Sequence, residues 1–178
     1  MILSDLRDFD LKRLPDVRGS YKKHVVMAPY TWFRVGGATT VYRPQDHEDL
    51  SQFLLQNSGE VPVTIIGAAS NILIRDGGIP GVVIKLGKNF ASISFKSNSV
   101  RIGAAMPNSI AARLALKQGY SGLEFLSGIP GTIGGGLRMN AGAYGKEVKD
   151  ILIEAEVIDS RGNFKVLSLE EMEMSYRH

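Results

Sequence analysis

The sequence predicts an α+β fold, and three observations carry that reading. Short, β-branched apolar runs such as Val61–Ile66 and Val82–Leu86 have the length and composition of buried strands. Residues 47–57 and 107–118 repeat apolar side chains at helical spacing. The stretch Gly122–Gly145, GLEFLSGIPGTIGGGLRMNAGAYG, fits neither pattern. Glycines at 128, 131, 134, 135 and 136 interrupt a segment, Phe125–Leu137, that carries no charge. Ordered glycine is entropically costly, so such a cluster needs positive φ angles or a backbone that approaches something flat or bulky. Leu126, Ile129, Ile133, Leu137 and Met139 alternate with the glycines, which makes a loose linker a poor description. Packed, irregular main chain lining a ligand is the expectation; a glycine-rich turn between two strands would have the same composition.

In chain order, residues 1–20 predict a polar helical lead-in with Leu3 and Leu6 as apolar contacts, ending at Pro15 or Gly19. Tyr30–Val41 predicts a strand in which Gly36-Gly37 mark a bulge or a close backbone approach. Asp46 and Asp49 form a capping pair for a helix over 47–57, with Leu50, Phe53 and Leu54 at its apolar positions. Val61–Ile66 then empties into Gly67-Ala68-Ala69-Ser70-Asn71, and Val82–Leu86 follows as the second buried strand. Ser92–Phe95 and Val100–Ile102 predict a hairpin turning at Ser97-Asn98. Pro107 opens a helix that turns Ile110, Leu114 and Ala111 or Ala115 inward and stops at Gly119. Beyond the glycine stretch, Ile151–Asp159 pairs with Asn163–Leu167, and Ser168 with Glu171 makes a capping box for a short last helix.

Composition narrows the function. The 178 residues, 44% hydrophobic and 22% charged, describe an ordinary globular chain. A net charge of +3 with scattered Lys and Arg gives no nucleic-acid footprint. Without cysteine there is no disulfide framework, thiolate metal site or thiol catalysis, and His24, His47 and His178 lack metal-ligand spacing. No membrane span or signal peptide is expected, because the N-terminus is broken by charges and apolar runs are short. A cytoplasmic location is the default.

Two loops carry candidate chemistry. Gly67–Asn71 leaves a strand with only small, hydroxyl or amide side chains, so its main-chain N–H groups can converge on one anion, with Ser70 and Asn71 assisting. It lacks the lysine of the nucleotide P-loop and the spacing of the Rossmann fingerprint. Such a loop suits a diphosphate, and the glycine stretch suits a flat ring system. The pair points to a dinucleotide cofactor such as a flavin.

Five runs carry a family resemblance: Thr31–Gly37 (TWFRVGG), Gly67–Leu73 (GAASNIL), Gly122–Phe125 with Gly128–Gly135 (GIPGTIGG), Met139–Gly145 (MNAGAYG) and Tyr176-Arg177. In this order they resemble the UDP-N-acetylenolpyruvoylglucosamine reductases, flavoenzymes of peptidoglycan precursor synthesis. The resemblance implies the two-subdomain FAD-binding fold of the vanillyl-alcohol oxidase type, with subdomains over 21–88 and 89–178. It implies non-covalent FAD, NADPH as hydride donor and a nucleotide-sugar substrate, UDP-N-acetylglucosamine enolpyruvate. NADPH reduces FAD and leaves; hydride then passes to the enolpyruvyl methylene carbon, and the enolate is protonated. The cofactor would be held by Gly67, Ala68, Ala69, Ser70 and Asn71, by Gly128, Ile129, Pro130, Gly131, Thr132, Gly134 and Gly135, and by Asn140, Gly142 and Ala143. Tyr176 and Arg177 would meet the substrate. Arg177 is the implied catalytic residue, since a guanidinium is always charged and can grip a carboxylate in bidentate fashion.

Two departures from the family pattern stand out. Ala69 occupies a place where the family shows glycine; if that place needs positive φ, alanine strains it by roughly 1 kcal/mol. The family also continues past its Tyr-Arg motif into a substrate-binding domain supplying a serine proton donor and a glutamate, so the chain reads as an N-terminal FAD-binding fragment. The alternative is a free-standing FAD-binding module, or another oxidoreductase of the same flavin fold. Tyr176-Arg177 and the absence of a cysteine for covalent flavin attachment favour the reductase.

Overall fold

The computed structural model describes residues 14–57 and 59–175. The chain divides into two compact units. One comprises the residues up to Gly87 with Ile158–Phe164; the other comprises Lys88–Val157 with the residues from Lys165 onward.

The first unit is built on β1 (Ser20–Val26), β2 (Ala38–Arg43), α1 (His47–Asn57), β3 (Val63–Ile66) and β4 (Val82–Lys85). The sheet order is β1-β2-β4-β3, with β1 antiparallel to β2 and both β2 and β3 parallel to β4. Central β4 is the most apolar strand, and its Val82, Val83 and Ile84 are all 0% exposed. Side chains alternate across the sheet. On one face Val41, Val83 and Ile66 pack with Met27 and Ile74. On the other, Tyr42 stacks between Tyr21 and Phe53 of α1, with ring centroids 5.1 and 4.6 Å away.

Asp49 ties this aromatic face to the chain entering β1. Its carboxylate is buried and accepts from the N–H groups of Arg18 (2.7 Å), Gly19 (2.9 Å) and Gln45 (2.8 Å) and from the Tyr42 hydroxyl (2.8 Å). Desolvation acts to raise its pKa, but these donors outweigh it and hold the carboxyl below the usual range. The same burial, together with the Asp49 charge, pushes the Tyr42 phenol up. The Asp49 N–H in turn donates to Asp46 Oδ1 at 2.9 Å, the expected cap of α1.

Several expectations for this unit need correction. Residues 1–13 of the expected lead-in lie outside the described residues, and residues 14–19 are not helical. The strand expected over Tyr30–Val41 starts only at Ala38. Before it, Arg34 and Gly36 take positive φ, and Thr31 Oγ1 closes the loop by donating to Val35 O (2.7 Å) and accepting from its N–H (3.2 Å). The close approach expected at Gly36-Gly37 is present, since a Cβ on Gly37 would lie 1.8 Å from Asp76 O. β3 is an edge strand with Ile65 65% exposed, because a β-branched run does not distinguish edge from centre. β1 escaped prediction: its Lys22-Lys23-His24 run is exposed, and a register shift at His24, φ +54, breaks the alternation.

In the second unit β5 (Ile93–Lys96) and β6 (Ser99–Ile102) form the expected antiparallel hairpin. α2 (Asn108–Lys117) buries Ala111 and Ala115 completely, while Ile110 and Leu114 are only partly covered. Its end is a Schellman closure around Gly119, φ +77: Tyr120 N–H donates to Ala115 O and Gly119 N–H to Leu116 O, both at 3.0 Å. Phe125, Leu126, Ala112 and Val148 form the core. Within the glycine stretch the expected irregular chain includes a helix, α3 (Ile133–Arg138), followed by the two-residue strands β7 (Gly142–Ala143) and β8 (Lys146–Glu147). β9 (Glu154–Ile158) and β10 (Phe164–Ser168) pair as expected but start later. The Ser168–Glu171 box is present, with Glu171 N–H donating to Ser168 Oγ at 3.3 Å, yet it caps hydrogen-bonded turns rather than a helix through Ser175.

Because the Asp49 pKa is lowered on folding, its stabilisation is complete above the ordinary carboxylate range and is lost as pH falls through the lowered value. Chemical denaturation should show stability falling below about pH 4, with a flatter acid limb for Asp49→Asn. Asp49→Ala should cost roughly 3 kcal/mol at neutral pH, as expected for a buried charged acceptor. An acid limb identical in parent and Asp49→Asn would contradict this assignment.

Candidate functional site

The loop after β3 has the shape of an anion cradle. Ala69 is buried and sits at φ +53, the left-handed conformation for which the sequence offered alanine in place of glycine. Two loop carbonyls are drawn inward: Lys85 Nζ donates to Gly67 O at 3.0 Å, and Trp32 N–H to Ala69 O at 3.4 Å. No hydrogen bond among the described residues uses the main-chain N–H of Ala68, Ala69 or Asn71. Ala68 and Asn71 are exposed and Ser70 is half-buried. Occupied carbonyls beside free N–H groups, with a left-handed residue between them, make a concavity suited to phosphate oxygens.

The glycine segment is held from beneath by the chain entering α2. Gly134 N–H donates to Ala104 O (2.8 Å), Ile133 N–H to Met106 O (2.9 Å) and Asn108 N–H to Gly131 O (3.1 Å). Asn108, 1% exposed, also donates its Nδ2 to Ile129 O at 3.2 Å, while its Oδ1 has no partner among the described residues. Thr132 caps α3, its hydroxyl accepting from Gly135 N–H at 3.4 Å.

The glycines now separate by cause. Gly131 has φ +131, which an L side chain rarely adopts. Gly134 crosses Ala104 so closely that a Cβ would lie 3.0 Å from the Ala104 Cβ and 3.1 Å from its oxygen. A Cβ on Gly128 would meet the Tyr144 ring at 2.7 Å. Gly135 has neither cause: it is exposed, helical, and a Cβ there would meet only Thr132 Oγ1 at 3.5 Å. In a helix, glycine costs about 1 kcal/mol against alanine. Among the described residues neither a positive φ nor a close neighbour accounts for that cost.

Asn140 plays a different part. Its side chain is 0% exposed, with Nδ2 donating to Glu147 Oε2 (2.7 Å) and Oδ1 accepting from Lys149 N–H (2.9 Å). Its amide fixes the turn that presents Gly142 and Ala143, which pair with Glu147 and Lys146. Ile129 is half-buried and Pro130 exposed. Tyr176 and Arg177 lie outside the described residues.

Sequence reasoning overlooked Lys85 and Asn108. Lys85 ends a strand and looks like an ordinary solvent-facing lysine. Asn108 follows the helix-opening Pro107, and a polar residue at a helix start reads as solvated; only the crossing segment shows why it is buried.

The model of the FAD binding domain matches residues 38–168. The chain belongs to the FAD binding domain family. Its relatives include the UDP-N-acetylenolpyruvoylglucosamine reductases of Parvibaculum lavamentivorans, 50% identical over 94% of this chain and 54% of the relative, and of Rickettsia massiliae, 52% identical over 92% and 56%. The crystal structure of the Thermus caldophilus UDP-N-acetylenolpyruvylglucosamine reductase superposes with a TM-score of 0.76 at 32% identity, covering 91% of this chain and 56% of that one. The chain therefore spans just over half the length of these relatives. The family resemblance drawn from the sequence holds, as does the α+β, FAD-binding fold in two units.

Ala69→Gly should relieve the left-handed strain and raise stability by about 1 kcal/mol or less, while preserving or tightening FAD binding. Ser70→Pro constrains the backbone between the free N–H groups of Ala69 and Asn71 and should weaken FAD binding. Calorimetric titration of both variants checks this; equal flavin affinity for parent and variants would remove the loop from the site.

Gly135→Ala offers a sharper separation. Since the added methyl has room and alanine favours helix, the variant should unfold no more easily than the parent. Its FAD affinity should nevertheless fall at least tenfold if the flavin ring packs on this turn. Unchanged affinity in thermal and flavin titrations would place the ring elsewhere.

Proposed function

We propose that this chain is the FAD-holding part of an NADPH-dependent reductase that converts UDP-N-acetylglucosamine enolpyruvate to UDP-N-acetylmuramate, in peptidoglycan precursor synthesis. The observation that carries the proposal is about 50% identity, over nearly the whole chain, to reductases of that name. A cytoplasmic location belongs to the same reading.

FAD, when bound, supplies a centre that accepts hydride from a nicotinamide and passes it to a polarised carbon. The chain's residues bind and orient. The free N–H groups of Ala68, Ala69 and Asn71 would take the diphosphate oxygens, with Ser70 assisting, and Gly67 lets the chain leave β3 without a side chain in the way. The turn over Gly128, Ile129, Pro130, Gly131, Thr132, Gly134 and Gly135 would back the ring. Asn140 would act by holding Gly142 and Ala143 in place rather than by touching the cofactor. Tyr176 and Arg177 would receive the substrate, the guanidinium countering the charge that develops as the enolpyruvyl group is reduced.

Residues 1–178 should bind FAD non-covalently, and Trp32, the single tryptophan, should report it, since its main-chain N–H donates to Ala69 O of the cradle and its exposed side chain belongs to that neighbourhood. FAD titration should quench its fluorescence at one equivalent, and acid precipitation should release the flavin. The chain spans just over half the length of the named reductases, so residues 1–178 alone should reduce bound FAD slowly and yield no UDP-N-acetylmuramate. In a full-length protein Arg177→Ala should remove most activity while leaving FAD bound. Product formation by residues 1–178 alone would overturn this reading.

A further inference from the structure

The first unit holds a second concavity that the reductase reading leaves unused. It opens on the sheet face that carries Val41 and is lined by Lys22, Arg43 and Lys85 together with Tyr30, Met27 and Val41. The register explains the convergence. Lys22 pairs with Val41, and Val41 with Val83, so these three point to one face. Two residues further along, at the C-terminal ends of the parallel strands β2 and β4, the same face presents Arg43 and Lys85. Ligands of open parallel sheets collect beyond the C-terminal ends of their strands.

The charge is unbalanced. Among the described residues no carboxylate lines the concavity, and Lys22, Arg43 and Lys85 form no ion pair. Lys85 is partly buried, its Nζ 6.0 Å from the Tyr30 ring centroid and 3.0 Å from Gly67 O, so two of its three donors remain. Burial, and secondly the like charge of Arg43, hold the Lys85 ammonium below its ordinary pKa. Converging cations without a counter-charge cost stability, and an anion seated among them would remove that cost. The donors suit a group with several oxygens: a planar guanidinium fork and two ammonium groups. The remaining wall, Tyr30 with Met27 and Val41, is aromatic and apolar, which suits an organic group attached to the anion.

We propose that Lys22, Arg43 and Lys85 form a phosphoryl subsite that takes the phosphate of a nucleotide, with Tyr30, Met27 and Val41 receiving its organic part. The subsite stands on its own residues, whether or not the neighbouring loop binds FAD. The nucleotide has two possible sources: the ADP half of a dinucleotide already on the loop, or a second, separately bound nucleotide.

The test is calorimetric titration of residues 1–178 with ADP, and with adenosine as a control lacking phosphate. A variant carrying Lys22→Gln and Arg43→Gln alters two exposed side chains outside the Gly67–Asn71 loop, and thermal unfolding confirms that it folds. ADP affinity should fall at least tenfold in this variant, and added salt should weaken binding to the parent more than to the variant. Adenosine binding should change little. Repeating the titration on FAD-saturated protein identifies the source: loss of ADP binding assigns the pocket to the ADP half of FAD, and retained binding assigns it to a second nucleotide. Equal ADP affinity in parent and variant, or no ADP binding by folded parent, would overturn the proposal. Absence of FAD binding with ADP binding intact would sink the flavin reading alone.

Discussion

Four hydrogen bonds between the glycine segment and the chain entering α2 are the constraint on which the second unit depends. They join Gly134 to Ala104, Ile133 to Met106, and Gly131 and Ile129 to the main chain and side chain of Asn108. A run this rich in glycine has much backbone freedom to lose, and side-chain packing alone would not hold it. Main-chain bonds can hold it only if the strands of chain approach closely, which excludes a side chain at Gly134. The result is a rigid turn whose outer side is bare at Gly135. Ile129, Ile133 and Leu137 anchor the same turn to the core of Phe125, Leu126 and Val148.

The first unit reaches a similar end by another route. Its loop is fixed through carbonyls, taken by Lys85 and by the Trp32 N–H, and through a left-handed Ala69 packed in the interior. Spending acceptors on the scaffold leaves donors for a ligand. Lys85 thereby joins the cradle to the basic concavity at the ends of β2 and β4. On the opposite face of the sheet, Asp49 collects three main-chain N–H groups and a phenol, fixing the entry to β1 and the start of α1.

Much of this was legible in the sequence where local signals and tertiary packing agree. α1 spans the expected residues because Asp46 caps it and Phe53 faces the sheet. The stop at Gly119 and the hairpin at Ser97-Asn98 follow from turn chemistry. Failures arose where a distant partner decides the outcome. Neither the edge position of β3 nor the exposed strand β1 leaves a hydrophobic period to read. α3 was hidden because three consecutive glycines argue against a helix, and only the bonds from Ala104 and Met106 and the Thr132 cap compensate. The two candidate loops were legible as loops, yet the sequence did not tell which glycines are required by close packing and which are not. That distinction needed the positions of Ala104 and Tyr144.

The proposals that main-chain groups of the Gly67–Asn71 loop meet the diphosphate and that Gly135 meets the ring are each tested directly by amide chemical shifts. In a titration of ¹⁵N-labelled residues 1–178 with FAD, the amides of Ala68, Ala69, Asn71 and Gly135 should shift together and saturate at one equivalent. Amides of the β5–β6 hairpin should stay in place. Saturable FAD binding that leaves the amides of both loops unmoved would contradict the account.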